Sequence, residues 1–343
     1  MSQHTEFTIP FASTAPGADV DRARQVNIQW AVRHALLGSP EAVTRYTGWR
    51  LPELAARFHP HATGDDLVLA ADLQCFFFLF DDQFDAPEGL RPQAVKASMQ
   101  LLDLLHQLPG TRPAYATPAT LAWADVWERS CEGMSPAWKA RATHEWARYF
   151  VGNLMEDLKR RNHPIRTLEE YVVFRRQTIA TGPVYDMSER VQHFEIPVGA
   201  FHTPQIQGMR DLATDVVTLC NDVASVSKEE TRSETLNSVL LLESTADTTR
   251  EDAIRQIEKL VSDKVRAFLT LQEELDDALA QMHVGETQCR DTHRYVRDAL
   301  HSMMRGNYDW QRSTDRYSAT SQRDLRPADV PNYYDDLVSP MER

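Results

Sequence analysis

The chain has 343 residues, with 37 basic against 50 acidic side chains and a formal charge of −13. That balance disfavours nucleic acid or an anionic membrane as a general partner, and an anionic ligand would need positive charge gathered locally. Only 13 glycines occur, and Ala, Leu, Glu, Arg and Gln, which lose least on entering a helix, recur throughout, so the fold class reads as all-α.

Residues 1–18, rich in Ser, Thr, Pro and Gly without period, read as an extended lead-in, and the first helix is expected near Asp19. Before Arg22 there is no Lys or Arg and no long apolar run, which argues against a signal peptide. Gly64-Asp65-Asp66-Leu67 opens a helix expected to be capped by Asp65 and to run about twenty residues to Asp85, roughly 30 Å. Its dense apolar run, Cys75 through Phe80, is much shorter than the ~20 residues needed to span a bilayer. Helical blocks follow between breakers at Leu108-Pro109-Gly110 through Pro118, Asn162-His163-Pro164, Thr181-Gly182-Pro183 and Pro197-Val198-Gly199. No alternating strand, solenoid repeat or long linker is visible, so one domain over 1–343 is expected, with 321–343 as a tail or lid. Cys75, Cys131, Cys220 and Cys289 sit far apart without close pairs, which suggests neither a zinc ribbon nor a dense disulfide framework. A soluble protein of the reducing cytoplasm is the expectation.

Two rows of oxygen-bearing residues carry the chemistry. Asp81, Asp82 and Asp85 close one helical run, and anions at a helix C-terminus meet the negative end of the macrodipole, so the cluster asks for a cation. Phe76, Phe77, Phe78, Phe80 and Phe84 surround it, some as core and the rest as lining for a pocket. Downstream, Asn221, Ser225 and Glu229 fall at i, i+4 and i+8 on one helix face, with Lys228 alongside. Hard divalent cations such as Mg²⁺ prefer oxygen ligands and share them with substrate phosphates, so two such rows facing each other would hold a polyphosphate between metals. The aspartate row alone reads equally as a solvated helix face; the Asn, Ser and Glu would ordinarily be surface choices, but their strict joint spacing favours a site. The polar residues 230–235 that follow read as a loop that closes over it. His59 with His61, and Cys289 with His293, complete no four-ligand zinc set and read as solvated or packed side chains.

With these residues in view, the chain resembles the bacterial class I terpene synthases (terpene cyclases). Asp81-Asp82-Gln83-Phe84-Asp85 matches that family's aspartate-rich motif, and Asn221, Ser225 and Glu229 match its Asn/Ser/Glu triad. Arg175, inside Tyr171-Val-Val-Phe-Arg-Arg-Gln-Thr178, matches the arginine that senses the diphosphate, and Arg316-Tyr317 matches the C-terminal Arg-Tyr pair, with Trp310 just ahead. The resemblance implies a single-domain antiparallel α-helical bundle that ionises an isoprenoid diphosphate and cyclises the carbocation in an apolar cavity. It implies Mg²⁺, about three ions, with Asp81 and Asp85 on one side and Asn221, Ser225 and Glu229 on the other. Asp82 either joins the first set or pairs with Arg316. Asp81, Arg175, Arg316 and Tyr317 are the expected catalytic residues, and Arg175, Lys228, Arg316 and Tyr317 would hold the diphosphate. Arg176 competes with Arg175 but points about 100° around the helix.

Phe77, Phe80, Phe84, Trp310 and Tyr317 are the candidates for an aromatic, water-free lining. A helix break is expected between Thr178 and Pro183, where Gly and Pro discourage regular structure, near the reacting carbon. Farnesyl diphosphate, giving a sesquiterpene, is the first-choice substrate; geranylgeranyl diphosphate is the runner-up, because cavity volume sets chain length. A prenyl diphosphate synthase would carry a second aspartate-rich motif in place of the triad, and Asp276-Asp277 and Asp335-Asp336 lack the Asp three residues on. A non-catalytic helical scaffold with solvated acidic rows is the rival from another class. Homodimers are common among resembling enzymes, so the resemblance admits one here.

Overall fold

The helix-forming composition is expressed throughout. The structure, a computed structural model, describes residues 6–84, 91–161, 165–231, 236–246, 248–317 and 336–340, and every regular element among them is helical. In chain order these are α1 (Val20–Arg33), α2 (Pro40–Trp49), α3 (Leu51–Phe58), α4 (Gly64–Asp81), α5 (Pro92–Leu105), α6 (Pro118–Cys131), α7 (Pro136–Arg161) and α8 (Leu168–Thr178). There follow α9 (Thr181–Val191), α10 (Val198–Phe201), α11 (Pro204–Thr231), α12 (Ser238–Ala246), α13 (Arg250–Glu273), α14 (Leu275–Gln281), α15 (Glu286–Tyr295) and α16 (Ser302–Gln311). A π-helical stretch, Val296–His301, joins the last two, and a 3₁₀ turn, Asp315–Tyr317, follows α16.

A helix that is apolar all round belongs inside, and α4 behaves accordingly: from Leu67 to Phe77 each of its residues is buried, packed by α1, α3, α6 and α9. The long α11 packs against α13, α16, α8 and α12. These two helices carry the two oxygen-bearing rows. The first begins one residue before the expected Asp65 cap: Thr63 is the N-cap and makes no side-chain cap bond. Asp65 and Asp66 sit in its first turn, where the positive end of the dipole favours them, and they pair with Arg22 at 2.6 Å and Arg190 at 3.0 Å. The helix also stops earlier than expected, at Asp81. The amides of Gln83 and Phe84 bond back to the carbonyls of Phe80 and Asp81 at 3.0 and 2.9 Å, making a turn, and Asp85 lies outside the described residues.

The breakers divide in outcome. Leu108-Pro109-Gly110 lies between helices, and Pro118 opens α6 behind the Thr117–Thr120 capping box. Asn162-His163-Pro164 lies outside the described residues, directly after α7. Pro197 is the N-cap of the short α10. Thr181-Gly182-Pro183 is no break: it is the first turn of α9, where proline's missing N–H costs nothing. The break is one step earlier, at Ile179 and Ala180, with Ala180 left-handed at φ 63°, ψ 11°.

Both chain ends are more firmly packed than a lead-in and a tail require. Phe7 and Ile9 are buried, the Phe7 amide donates to Tyr308 Oη at 3.3 Å, and Arg305 reaches the Ile9 carbonyl at 3.2 Å. Residues 6–18 are thus an extended strap laid on α16. At the other end Leu337 and Val338 are buried. Ala119 N donates to Leu337 O at 3.0 Å and Leu337 N donates to Gln83 Oε1 at 3.3 Å. Burying each side chain yields about 1.5–3 kcal/mol, which offsets part of the cost of ordering the segment. This part of 321–343 is core and not lid; the rest, save 336–340, lies outside the described residues. Among the described residues no helix is long and apolar enough to cross a membrane.

The α3–α16 contact gives a test of packing. A Cβ on Gly306 would stand 2.9 Å from Arg57 Cβ and 3.1 Å from its backbone carbon. We expect Gly306→Ala to destabilise the fold by about 1–3 kcal/mol, read as a lower denaturant midpoint at unchanged slope. An unchanged midpoint would mean that the two helices have slack.

Candidate active site

Asp81 is the last residue of α4, so Phe77 and Phe78, four and three positions earlier, share its face. All three open on one cavity of about 870 Å³, its mouth included. Phe80 is turned about 100° from Asp81 and packs in the core against Phe76, Phe84 and Phe150 at 5.1, 4.9 and 5.9 Å between ring centres. Phe80 and Phe84 therefore do not line the cavity, contrary to expectation. Trp310 does not line it either: its Nε1 donates to the Trp49 carbonyl at 2.8 Å, and its ring backs Phe78 and Tyr317 at 5.4 and 5.8 Å.

Opposite chemistry arrives from α11, whose regular i, i+4, i+8 spacing brings Asn221, Ser225 and Glu229 to the same cavity, with Lys228. Asn221 Nδ2 donates to Tyr317 Oη at 3.0 Å, so its carbonyl oxygen is the atom with the right polarity for a cation. Ser225 Oγ donates to Glu229 Oε1 at 2.6 Å. Burial, then the charge of Asp222, pushes the Glu229 carboxyl up to about 7. Tyr317, from the turn after α16, is pushed up to about 12 by burial and stays protonated.

Asp82 does not share the position of Asp81. Arg316 Nη2 lies 3.0 and 3.1 Å from its two oxygens, with Lys228 Nζ at 3.6 Å. Of the two roles left open for Asp82, this geometry is the ion pair. The Arg316 guanidinium carbon also sits 4.3 Å from the Trp49 ring centre and 4.8 Å from that of Phe78, a cation–π arrangement. Arg175 lines the cavity and donates to Thr178 Oγ1 at 2.8 Å and Glu156 Oε1 at 3.2 Å. Arg176 turns away to Asp211 and Asp215, at 2.6 and 2.7 Å.

Three lining residues escaped the sequence reading, Tyr149 and Glu156 on α7 and Leu236, and within the expected 178–183 break the reading did not single out Ile179 and Ala180. The α7 pair had a signal, because positions seven apart share a helix face. Ala180 had none, since nothing about an alanine announces a left-handed backbone.

The donor set suits one kind of cation. Among the described residues no three His, Cys, Asp or Glu side chains gather into a metal cage. The cavity instead offers amide, hydroxyl and carboxylate oxygens, which suit a hard ion that retains water and substrate oxygens and do not suit zinc. Negative charge buried beside the cavity is a second fit: Asp222, whose charge acts on Glu229, is itself raised by burial.

The sequence profile described as terpene synthase family 2, C-terminal metal binding, matches residues 72–267. The chain is 48% identical, over 98% of its length and 94% of the relative's, to (−)-β-caryophyllene synthase ((2E,6E)-farnesyl diphosphate cyclizing) of Saccharothrix espanaensis. It is 38% identical to pentalenene synthase of Streptomyces avermitilis, over 93% of this chain and 94% of that one. Among solved structures it resembles linalool/nerolidol synthase from Streptomyces clavuligerus in complex with 2-fluorogeranyl diphosphate, with TM-score 0.79, 31% identity, and coverage of 91% and 100%. The chain belongs to the bacterial class I terpene synthases. Divalent-metal binding comes with the matched region.

The two arginines separate experimentally. We expect Arg175→Ala to lower turnover by about 10²-fold or more, the scale of losing a preorganised charge-stabilising donor. Arg176→Ala should leave turnover of the folded protein within a few fold while lowering its melting temperature, because it removes a partner of buried Asp215. Equal losses of turnover would transfer the role to Arg176 or to both.

Proposed function

We propose that this protein is a Mg²⁺-dependent sesquiterpene synthase of the cytoplasm, one domain over residues 1–343, which releases diphosphate from farnesyl diphosphate and cyclises the resulting cation. One observation carries the reading: Asp81, the Asn221–Ser225–Glu229 row and the basic side chains Arg175, Lys228 and Arg316 open on the same cavity. The similarity to a farnesyl diphosphate-cyclizing enzyme supports the choice of substrate.

Asp81 with Asp85 on one side, and Asn221, Ser225 and Glu229 on the other, would hold about three Mg²⁺ ions. Bound Mg²⁺ neutralises charge developing on the departing diphosphate. Arg175, Lys228 and Arg316 donate charge-assisted hydrogen bonds to the phosphate oxygens, and the Tyr317 hydroxyl donates another. Before substrate arrives these cations are already balanced, Arg316 and Lys228 by Asp82 and Arg175 by Glu156, so none of the three is buried without a counterion.

Ionisation puts positive charge on carbon. Phe77, Phe78 and Tyr149 offer aromatic faces to it and keep water away. The last carbonyls of α8, left without helical donors at the Ala180 break, add negative dipole ends beside the cavity.

Incubation with geranyl, farnesyl and geranylgeranyl diphosphates, with Mg²⁺ or with a chelator, followed by product mass spectrometry, tests the reading. A cyclic fifteen-carbon product from farnesyl diphosphate, lost on chelation, is expected. A twenty-carbon product alone would move the substrate assignment, and a requirement for isopentenyl diphosphate would make the protein a transferase. Asp81→Ala and Asn221→Ala should each cut turnover by at least about 10²-fold while leaving helical circular dichroism intact; near-normal yield from either would sink the site.

A further inference from the structure

One buried side chain outside the cavity ties the two halves of this site's support together. Asn237, directly before α12, is fully buried and uses both ends of its carboxamide. Its Oδ1 accepts from the amides of Val239 and Leu240 at 2.8 and 3.4 Å, capping α12. Its Nδ2 donates to the Asp222 carbonyl at 2.9 Å and to Glu229 Oε2 at 2.7 Å. The bracket is closed from the other side, because the Ser238 amide donates to Asp222 Oδ2 at 3.0 Å. A single amide thus spans about two turns of α11 and grips the carboxylate at its far end.

That grip matters because Glu229 stands in the last turn of α11, where helices fray, on a side chain with considerable rotamer entropy. With one oxygen fixed by Asn237 and the other facing Ser225, the carboxylate has one orientation. We infer that Asn237 is a positioning residue for Glu229, setting the affinity of the site for its divalent cation; this rests on the reading of Glu229 as a metal ligand. Groups that orient a ligating carboxylate typically govern metal affinity by about 10–100-fold.

Capping and clamping are separable. Asn237→Ser and Asn237→Thr keep an oxygen able to cap α12 but have no donor long enough to reach Glu229. The test measures Mn²⁺ binding in the presence of inorganic diphosphate by electron paramagnetic resonance, with the melting temperature of the metal-free protein and the Mg²⁺ dependence of turnover alongside. We expect Mn²⁺ affinity to fall about 10-fold or more, the half-saturating Mg²⁺ concentration to rise in parallel, and turnover at saturating Mg²⁺ to stay within a few fold of wild type. Wild-type Mn²⁺ affinity in both variants would overturn the inference. So would a loss of maximal turnover with an unchanged metal requirement, which would leave Asn237 a cap alone. Wild-type protein that neither binds Mn²⁺ with diphosphate nor consumes farnesyl diphosphate would overturn the reading of Glu229 itself, and this inference with it.

Discussion

Like charges gathered out of water repel, and the fold collects them. Asp81 at the end of α4 and Glu229 on α11 open on one cavity, with Asp82 buried next to the first and Asp222 acting on the second. Low dielectric strengthens their repulsion and burial penalises each anion, which is why Glu229 is pushed up to about 7 and Asp222 is raised as well. The rest of the architecture can be understood as compensation for that cluster. Arg175 comes from the end of α8, Lys228 from α11, and Arg316 from the turn beyond α16, so three separate stretches of chain must fold together before the carboxylates are tolerable.

The support for these groups is as specific as the groups themselves. α4 is buried along most of its length, which holds its acidic end in place. Trp310 braces Phe78 and Tyr317 from behind, and Tyr317 in turn receives the Asn221 amide. The extended N-terminal strap lies on α16, the helix that leads directly into Arg316. Stability and site geometry are therefore hard to alter independently in this part of the molecule.

How much of this was legible in the sequence depended on how regular each helix proved to be. On α11 the 28-residue helix is continuous, so counting by fours placed Asn221, Ser225 and Glu229 together. On α4 the same counting ran past the end of the helix: the chain turns after Asp81, so counting by fours does not carry on to Asp85, which lies outside the described residues. It was also not applied to the phenylalanines, where it would have separated Phe77 and Phe78 from Phe80 and Phe84. The α8–α9 break falls within the expected 178–183 but for a different reason, because Gly182 and Pro183 are acceptable in a first turn while Ala180 takes the strained conformation. Leu337 and Val338 were unreadable as core, since what makes them core is a distant partner, Gln83 with the start of α6.

Arg316 carries one more implication. With the ring centres of Trp49 and Phe78 at 4.3 and 4.8 Å from its central carbon, the guanidinium meets an anion through the N–H groups on its rim, and Asp82 already occupies part of that rim. An anion bound here would share or exchange that counterion, through donors whose directions are fixed by the planar group. A lysine in the same place, having neither plane nor rim, would keep the charge but lose the directional selectivity.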